Sequence, residues 1–476
     1  MTTGTGDRAV VAGASMAGLL AARVLAERCT RVTVVDRDAL AEGPERPRRG
    51  VPQGGHLHAL LGRGQQALEE LLPGLTRELT GRGAPLGDQL GDTRMYFGGH
   101  RMARARSGLS LLCASRPLLE DAVRARVAAT PGVDVVPRCA LVGLEISADR
   151  RRVTGARVRR DGRDEEVITA DLVVDATGRG SRIPTWLAAL GLPAPAEERI
   201  RIGLGYATRV YRARPGALGG DLGIMCAPVP PHGRGGALAV LEGDRWMVTL
   251  IGVLGDHPPT DPAGFLDFAR SLPHPDVRDA LTSAEPLGDP APFRFPAGVR
   301  RRYERVRELP EGLLVLGDAF CSFNPVYGQG MTVAALEALA LRDQLRRRRP
   351  PQPLAFHRHV ARVVDAPWEL AVGGDLAFPG VEGRRTAKTR VLGAYVDRLH
   401  AAAETDAALA TAFLRVAALV DPPTALVGPG TVLRVLRHGR HGRPSPGEGG
   451  AGPTTTTVPP AGPPSREDAP APGRRG

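Results

Sequence analysis

The chain has 476 residues, of which 42% are hydrophobic and 24% are charged, and its formal net charge is +12. This composition excludes a wholly disordered or fibrous chain, and the length predicts two or three domains. Aromatic residues make up only 4% of the chain and no nucleic-acid-reading motif occurs, so the positive charge does not predict a nucleic-acid partner.

Cysteine content and hydropathy favour a cytoplasmic location. The five cysteines are scattered without metal-ligand spacing, which predicts neither a disulfide framework nor a metal site. No run of 18 apolar residues occurs, so we expect no transmembrane segment. The polar start at residues 1–6 is not typical of a signal peptide.

The N-terminal region predicts a strand–helix–strand unit. A β-branched strand at 8–12 is followed by a glycine-rich turn at 13–18, a helix, and a second strand at 31–35 that ends at Asp36. The further elements expected in chain order are a Pro- and Arg-rich loop at 37–55, a helix near 57–72, strands within 90–112, a helix at 116–128, a β-meander at 133–175, strands within 200–255, short helices at 265–271 and 275–284, a strand at 313–316, a long helix at 330–347 and a mostly helical stretch at 352–437.

The first turn is typical of a dinucleotide-binding site. Gly13 allows the tight turn, the small Ser15 lets backbone amides approach a pyrophosphate, and Gly18 lets the helix pack closely on the sheet. Asp36, at the end of the second strand, can bind both hydroxyls of an adenosine ribose. Its negative charge opposes a 2′-phosphate, so NADP is not expected in this position. A glycine-rich turn without a ligand is the simpler alternative.

A second glycine-rich motif lies about 300 residues later. Asp318 follows a buried strand, where its carboxylate can accept hydrogen bonds from a ribityl chain. Gly328 and Gly330 precede a helix, and their bare backbone can lie against a flat ring and present amide donors to it. Such a site favours a reduced, anionic flavin.

Together these motifs resemble the FAD-dependent aromatic hydroxylase superfamily. The resemblance also includes Arg116 and the strand end Asp175-Ala176-Thr177-Gly178. Three segments are more closely similar to actinobacterial flavin epoxidases that act on polyether polyketides: Arg49-Gly50-Val51-Pro52-Gln53 with His56 and His58, Ala176-Thr177-Gly178-Arg179-Gly180-Ser181, and Phe323-Asn324-Pro325-Val326-Tyr327-Gly328. The resemblance covers residues 8 to about 420.

The resemblance implies an α/β fold of the para-hydroxybenzoate hydroxylase type. Its parts are a Rossmann-type FAD-binding domain (1–75, 111–195 and 297–350), an inserted β-sheet substrate domain (76–110 and 196–296), a helical C-terminal region (351–437) and, on composition alone, a disordered tail (438–476). Strands such as 202–210 and 246–251 are expected to supply an apolar lining for the substrate.

The resemblance also implies the site residues. The expected FAD-binding residues are Gly13, Ser15, Met16, Ala17, Gly18, Asp36, Arg37, Arg116, Asp318, Pro325, Gly328, Gly330 and Met331. Phe323, Asn324 and Tyr327 are candidates for the face where substrate meets flavin, with packing as the alternative role. No catalytic side chain is assigned, because the flavin itself carries the oxygen chemistry.

The expected activity is oxygenation of an apolar, polyketide-like small molecule in secondary metabolism, by epoxidation or hydroxylation with O2. The electrons come from NAD(P)H directly or through a separate flavin reductase. Thr177-Gly178 stands where aromatic hydroxylases have an Asp-Gly pair that assists NAD(P)H, which weakens the case for direct use. A geranylgeranyl-reductase-like alkene reductase and a non-catalytic basic binding protein remain alternatives. Halogenation is disfavoured, because the sole lysine, Lys388, lies toward the C-terminal helices.

Overall fold

A computed structural model of the chain describes residues 7–40, 43, 48–58, 60–214, 216–282, 284–347 and 351–438. The strands are β1 (Arg8–Ala12), β2 (Arg31–Val35), β3 (Leu86–Asp88), β4 (Thr93–Phe97), β5 (His100–Arg101), β6 (Ser110–Leu112), β7 (Val133–Val136), β8 (Cys139–Ile146), β9 (Val153–Arg160), β10 (Glu165–Thr169), β11 (Leu172–Asp175), β12 (Glu197–Ile200), β13 (Leu204–Arg212), β14 (Gly223–Cys226), β15 (Arg234–Leu241), β16 (Arg245–Gly252), β17 (Glu285–Pro286), β18 (Ala291–Phe295), β19 (Gly298–Arg301), β20 (Leu313–Val315) and β21 (Cys321–Ser322). The helices are α1 (Met16–Leu25), α2 (Gly62–Leu71), α3 (Leu75–Gly81), α4 (Arg116–Ala128), α5 (Ile183–Ala189), α6 (Pro262–Arg270), α7 (Asp276–Thr282), α8 (Gly330–Leu345), α9 (Pro353–Leu376), α10 (Ala387–Ala403), α11 (Ala407–Ala417) and α12 (Pro429–His438).

A five-stranded parallel sheet carries the expected nucleotide-binding unit. Its strand order is β20-β11-β1-β2-β7, and every neighbouring pair is parallel. In register, Ala12 lies opposite both Val35 and Asp175, so three strands end at one edge of the sheet. Helices α1, α4 and α8 contribute to the apolar core around this sheet. The Rossmann-type arrangement therefore directs the residues after β1, β2, β11 and β20 to one place.

The predicted meander at 133–175 is only partly correct. Strands β8, β9 and β10 form an antiparallel meander, but β7 and β11 pair in parallel with β2 and β1. Short apolar strands carry no signal for their partner, so sequence spacing alone grouped them wrongly. The helix expected from residue 57 begins instead at Gly62, after a segment in which the Leu57 amide donates a hydrogen bond to Thr249 Oγ1 (3.2 Å).

An eight-stranded mixed sheet provides the second layer. Its order is β17-β13-β16-β15-β14-β4-β5, with β18 also paired to β13. Side chains alternate along β16, so that Trp246, Val248 and Leu250 pack in a core with α6 and α7, while Thr249 and Ile251 point to the opposite side. Trp246 therefore does not belong to the apolar lining that the sequence suggested for its strand.

Helices α10, α11 and α12 form a further apolar cluster with residues such as Met95 and Met102. Within the part of the chain that the structure describes, no helix is long and apolar enough to cross a membrane. The division into FAD-binding, substrate and C-terminal domains stays a prediction, and the tail expected at 438–476 lies, apart from His438, outside the described residues.

Candidate functional site

The turn after β1 is shaped by close backbone contacts. Gly13 has a φ of +104°, and a Cβ at this position would lie 2.4 Å from the Ala176 carbonyl oxygen. A Cβ at Gly18 would lie 1.8 Å from the Gly13 carbonyl oxygen. Both positions therefore need glycine, and the turn places the N-terminus of α1 at the edge of the parallel sheet.

Asp36 is held in a fixed orientation beside this turn. Its Oδ2 accepts a hydrogen bond from the Ala14 amide (2.6 Å) and its Oδ1 accepts one from the Asp38 amide (2.8 Å). The Arg48 Nη1 atom lies 3.3 Å from Oδ2. The carboxylate is thus oriented at the sheet edge before any ligand arrives.

Two arginines and one glutamate form a charge cluster at the start of α1. Arg116 donates to Ser15 Oγ (2.8 Å) and to Glu120 Oε2 (3.1 Å). Arg48 donates to Glu120 Oε1 (2.6 Å) and to the Ala14 carbonyl oxygen (3.0 Å). Although burial by itself raises the pKa of Glu120, the charges of Arg116 and Arg48 lower it. Arg48 lies within 3.4 Å of Asp36 and Asp38 as well, so the arginines neutralise carboxylates, and the backbone amides with the positive end of the helix dipole are what suit an anion at the helix N-terminus.

The second motif touches the first. A Cβ at Gly317 would lie 2.7 Å from the Ala17 Cβ, so the turn after β20 packs directly on the first turn of α1. Asp318 is half-buried; burial raises its pKa, and the charges of Arg179, Arg116 and Arg301 oppose that rise. Two motifs separated by 300 residues thus form one continuous surface.

The loop from Asn324 to Gly330 ends at the N-terminus of α8. Gly328 has a φ of +66°, and a Cβ at Gly330 would have no atom within 4 Å. The backbone at the start of α8 therefore faces open space, with free amide donors and the positive end of the helix dipole. A flat, electron-rich group can lie against such a backbone.

A single cavity of about 1710 Å³ joins these features. Its volume exceeds the 300–1,000 Å³ that is typical of small-molecule pockets. Of the site residues that the sequence predicted, the ones that line it are Gly13, Ser15, Met16, Ala17, Asp36, Arg37, Arg116, Asp318, Phe323, Asn324, Pro325, Tyr327, Gly328, Gly330 and Met331. Gly18 does not line the cavity and acts in packing the turn. The cavity has room for a dinucleotide and a second molecule.

His56 supports the wall of the cavity through a chain of hydrogen bonds. Its Nδ1 lies 2.8 Å from Thr208 Oγ1, which lies 2.7 Å from Thr249 Oγ1. Thr249 Oγ1 also accepts a hydrogen bond from the Leu57 amide (3.2 Å), so the chain of contacts ties His56 to the backbone of its own loop. Burial lowers the pKa of His56 to about 4. His56 is therefore neutral at physiological pH.

His58 is neutral as well. Its Nδ1 lies 2.9 Å from the His56 carbonyl oxygen. Burial, with the nearby charge of Arg116, lowers the pKa of His58 to about 3. Both histidines line the cavity.

Asp375, near the end of α9, is a cavity residue that the sequence analysis missed. Its Oδ1 accepts hydrogen bonds from Asn324 Nδ2 (2.7 Å) and the Tyr327 hydroxyl (3.0 Å). Burial raises the pKa of Asp375 to about 6. A Cβ at Gly374 would lie 2.1 Å from the Tyr327 hydroxyl oxygen. The Gly373-Gly374 pair inside a helical pattern was the signal of this close approach.

Further residues of the cavity were also missed or misplaced. Arg48 lies within the Pro- and Arg-rich loop at 37–55, and the length of that loop was the only signal for it. Lys388 lies in the first turn of α10 and lines the same cavity, although its sequence position suggested otherwise. Phe323 lines the cavity and packs against Trp368, with ring centroids 6.5 Å apart, so the packing role and the cavity role are compatible.

Comparisons with known proteins give one relative and many similar folds, while no protein-family model matches the chain. Protein Rv3254 of Mycobacterium tuberculosis (strain ATCC 25618 / H37Rv) is 36% identical over 430 residues, which cover 87% of this chain and 90% of that protein.

Three solved structures share the fold. A flavoprotein/dehydrogenase from Cytophaga hutchinsonii matches with a TM-score of 0.66 and 14% identity, over 90% of this chain and 97% of the other. The flavin-dependent brominase Bmp2 matches with a TM-score of 0.64 and 14% identity, over 91% of this chain and 97% of the other. A 2-methyl-3-hydroxypyridine-5-carboxylic acid oxygenase matches with a TM-score of 0.55 and 20% identity, over 78% of this chain and 91% of the other. At these identities the similarity shows the fold alone, and it confirms the expected para-hydroxybenzoate hydroxylase-like architecture.

Proposed function

This chain belongs to the family of the mycobacterial Protein Rv3254, and we propose that it is an FAD-dependent monooxygenase that epoxidises or hydroxylates an apolar, polyketide-like small molecule. The observation that carries the proposal is the single cavity that joins the turn after β1, the loop before α8 and an apolar sheet face. The shared fold with a flavoprotein, a flavin-dependent brominase and an oxygenase supports the same reaction class.

The residues at the α1 end of the cavity fit the adenosine diphosphate part of FAD. Asp36 is oriented to accept hydrogen bonds from ribose hydroxyls, and its charge disfavours a 2′-phosphate. The amides at the start of α1 can donate to a pyrophosphate, and Arg48 and Arg116 neutralise the carboxylates beside it. Arg37 lines the outer part of this region.

The residues at the α8 end fit the ribityl chain and the flavin ring. Asp318 has no hydrogen-bond partner among the described residues, which leaves its carboxylate available to ribityl hydroxyls. The open backbone at Gly328 and Gly330, with Pro325 and Met331 beside it, can lie against the ring. The positive end of α8 favours the negative charge of a reduced flavin. Bound FAD supplies the two electrons that, with O2 and two protons, yield one transferred oxygen atom and one water.

The remaining wall gives the cavity an apolar side on which an apolar substrate can lie. Tyr206 and Ile251 line the cavity from the eight-stranded sheet, Val253 lines it from the position after β16, and Phe323 lines it from the loop before α8. His56 is uncharged at neutral pH, so it adds no ion to this apolar region. Electrons reach the site from NAD(P)H directly or from a separate reductase, and Thr177 is exposed near the cavity where a hydride donor would approach.

The test begins with the cofactor. Purified protein should show flavin absorbance, and Asp36→Ala and Asp318→Ala should each weaken FAD binding about tenfold or more, because each removes a charged acceptor of cofactor hydroxyls. Asp161→Ala, in an exposed turn between β9 and β10, is the matched control. A colourless protein that does not take up FAD would contradict the proposal.

The reaction class is tested by rapid mixing of chemically reduced protein with oxygenated buffer. We expect an absorbance transient that differs from both reduced and oxidised flavin, because the cavity shields the reacting oxygen from water. Single-phase return to oxidised flavin with release of hydrogen peroxide, together with alkene saturation under anaerobic conditions, would instead favour the alkene reductase.

A second candidate function is halogenation, which one observation favours: Lys388 lines the same cavity. A brominase would give a brominated product in the presence of bromide, and Lys388→Ala would abolish it. Oxygenated product that is independent of bromide and unaffected by Lys388→Ala would support the monooxygenase.

A further inference from the structure

The cavity extends between β4 and α11. Met95 and Phe97 line it from β4, and Phe413, Leu414 and Val416 line it from α11. All five belong to, or pack against, the apolar cluster of the C-terminal helices, and the rings of Phe97 and Phe413 have centroids 5.0 Å apart. We call this part of the cavity the β4–α11 pocket. Its walls suit an apolar group.

The floor of the cavity is continuous from the middle of the eight-stranded sheet to this pocket. In register, Thr249 lies beside Ala237, Ala237 beside Met225 and Met225 beside Met95, and all four residues line the cavity. Three strand spacings of about 4.8 Å separate Thr249 from Met95, which is a distance of about 14 Å. A ligand that reaches the pocket from Thr249 is therefore elongated.

Three uncharged polar residues line the cavity beside the β4–α11 pocket. Gln89 donates its backbone amide to the Leu109 carbonyl oxygen (2.8 Å), and Leu109 belongs to the apolar cluster. Thr93 begins β4 and lines the cavity from that strand. Gln329 lies directly before α8, and its Nε2 donates to the Ala417 carbonyl oxygen of α11 (3.2 Å). Different elements thus bring the three side chains to one pocket.

One oxygen atom of each of these residues is buried without a hydrogen-bond partner among the described residues. These atoms are Gln89 Oε1, Thr93 Oγ1 and Gln329 Oε1, and the residues are 5%, 6% and 3% exposed. Buried polar atoms are almost always paired, and each unpaired one lowers the stability of the fold. Three such atoms in the wall of one cavity indicate a ligand that supplies the missing partners.

The three oxygens define the group that would pair with them. The amide oxygens of Gln89 and Gln329 only accept hydrogen bonds, whereas the Thr93 hydroxyl can donate one. No charged side chain of β4, of α11 or of the turn at 89–92, all of which the structure describes, lines the cavity, so an ion would lose its hydration here without a counter-charge. A primary carboxamide is uncharged and carries two N–H donors and one acceptor oxygen, one for each of the three atoms.

We propose that the β4–α11 pocket binds the primary carboxamide group of an elongated, otherwise apolar ligand, and that Gln89, Thr93 and Gln329 recognise this group. The inference rests on the proposed function, which it deepens by naming a polar end group of the substrate. A ligand without this group leaves the three oxygens unpaired and therefore binds more weakly.

The test uses octanamide and N,N-dimethyloctanamide as ligands of the purified holoprotein, with affinities measured by calorimetry. Both probes have the same apolar chain, but only octanamide has N–H donors. The wild-type protein should bind octanamide about tenfold or more tightly than the dimethyl amide. Gln89→Met keeps the length of the side chain and removes its amide, so the preference should fall by about threefold or more.

The melting temperature separates recognition from a structural role. Because Gln89→Met removes an unpaired buried amide, the ligand-free variant should melt at the wild-type temperature or above it. Thr93→Val removes a hydroxyl at nearly constant volume; it should weaken the preference in the same way, and it decides the question if Gln89→Met does not fold. The matched control is Gln66→Met, on the exposed face of α2, which should keep the wild-type preference.

Equal or absent binding of the two probes by the wild-type protein would overturn the proposal. An unchanged preference in a folded Gln89→Met or Thr93→Val variant would do so as well, and so would a preference that is lost only together with a lower melting temperature in both variants. Flavin content is measured on the same samples, so a preference for octanamide in protein that takes up no FAD would contradict the proposed function alone.

Discussion

Single residues around the start of α1 set the charge that a pyrophosphate would meet. Arg48 and Arg116 share the carboxylate of Glu120, which is 4% exposed. Ser115 caps the N-terminus of α4, where its Oγ accepts a hydrogen bond from the Leu118 amide (3.3 Å). Arg116 comes directly after this cap, so its position is set by its own helix. Arg48 has no such local support and depends on the partners that it reaches across the fold.

At this scale we predict that Arg48→Gln lowers FAD affinity about tenfold or more, because it removes one of two cations beside the α1 N-terminus. Arg49→Gln is the control, since Arg49 is the exposed neighbour. Equilibrium titration of apoprotein with FAD, followed by flavin fluorescence, measures both. Equal affinities of the two variants would show that Arg48 pairs with Glu120 without contributing to cofactor binding.

Helix α8 contributes both a ligand-facing N-terminus and a buried carboxyl group. Glu337 is fully buried, and its Oε2 accepts a hydrogen bond from the Gly317 amide (2.5 Å). Burial raises the pKa of Glu337 to about 8, the Gly317 bond opposes this rise, and the charge of Asp318 adds to it. The side chain is therefore a neutral acid at physiological pH, and it fixes the turn that presents Asp318.

Between pH 4.5 and 8 the folded protein keeps the Glu337 proton that the unfolded chain releases. Its contribution to stability is thus fully present below pH 4.5 and is lost as pH rises through 8, with a slope of at most about 1.4 kcal/mol per pH unit. Glu337→Gln can still accept the Gly317 bond and does not titrate. We expect its free energy of unfolding, measured in urea, to exceed that of the wild type increasingly from pH 5 to pH 8.

The exposed Glu369→Gln variant should follow the wild-type pH profile in the same urea experiment. A constant difference between Glu337→Gln and the wild type at every pH would mean that Glu337 is ionised in the folded protein. In that case the side chain that holds the turn before Asp318 would be a carboxylate and not a neutral acid.

At the scale of the whole molecule, the C-terminal helices close one side of the cavity. Residues of α10 line it, and α12 packs onto the same cluster through Val435, which is fully buried. Arg434 of α12 forms an ion pair with Asp406 (2.9 Å), the residue that caps α11. The contacts that the structure describes therefore continue to the end of α12.

We predict that a chain ending at His438 keeps its melting temperature and flavin content, because nine glycines and nine prolines among residues 438–476 cannot bury a core. A chain ending at Gly428, which lacks α12, should melt at least several degrees lower, because Val435 and the Arg434–Asp406 pair are lost. Thermal unfolding and flavin absorbance compare the two. If the chain that ends at His438 lost turnover without losing stability, that result would assign a partner to the tail.

Local patterns determined the nucleotide-binding unit. The turn at Gly13–Gly18, the strand that ends at Asp36 and the helix at 116–128 were predictable, because short-range backbone geometry demands glycine, β-branched or capping residues at fixed spacing. Asp318, Gly328 and Gly330 were located for the same reason. The resemblance added the fold, which the shared architecture of the solved structures confirms. It also added the role of Arg116, which stays a prediction.

Only the tertiary structure decided which distant residues meet at the cavity. Asp375 reaches Asn324 across about 50 residues, Arg48 reaches Glu120 across 72, and Lys388 faces the cavity from α10. The pairing of β7 with β2 and the inward direction of Thr249 were decided in the same way. The physical reason is that the sequence pattern of one element specifies its own backbone and buried face, whereas the partner of a polar side chain depends on how all the elements pack.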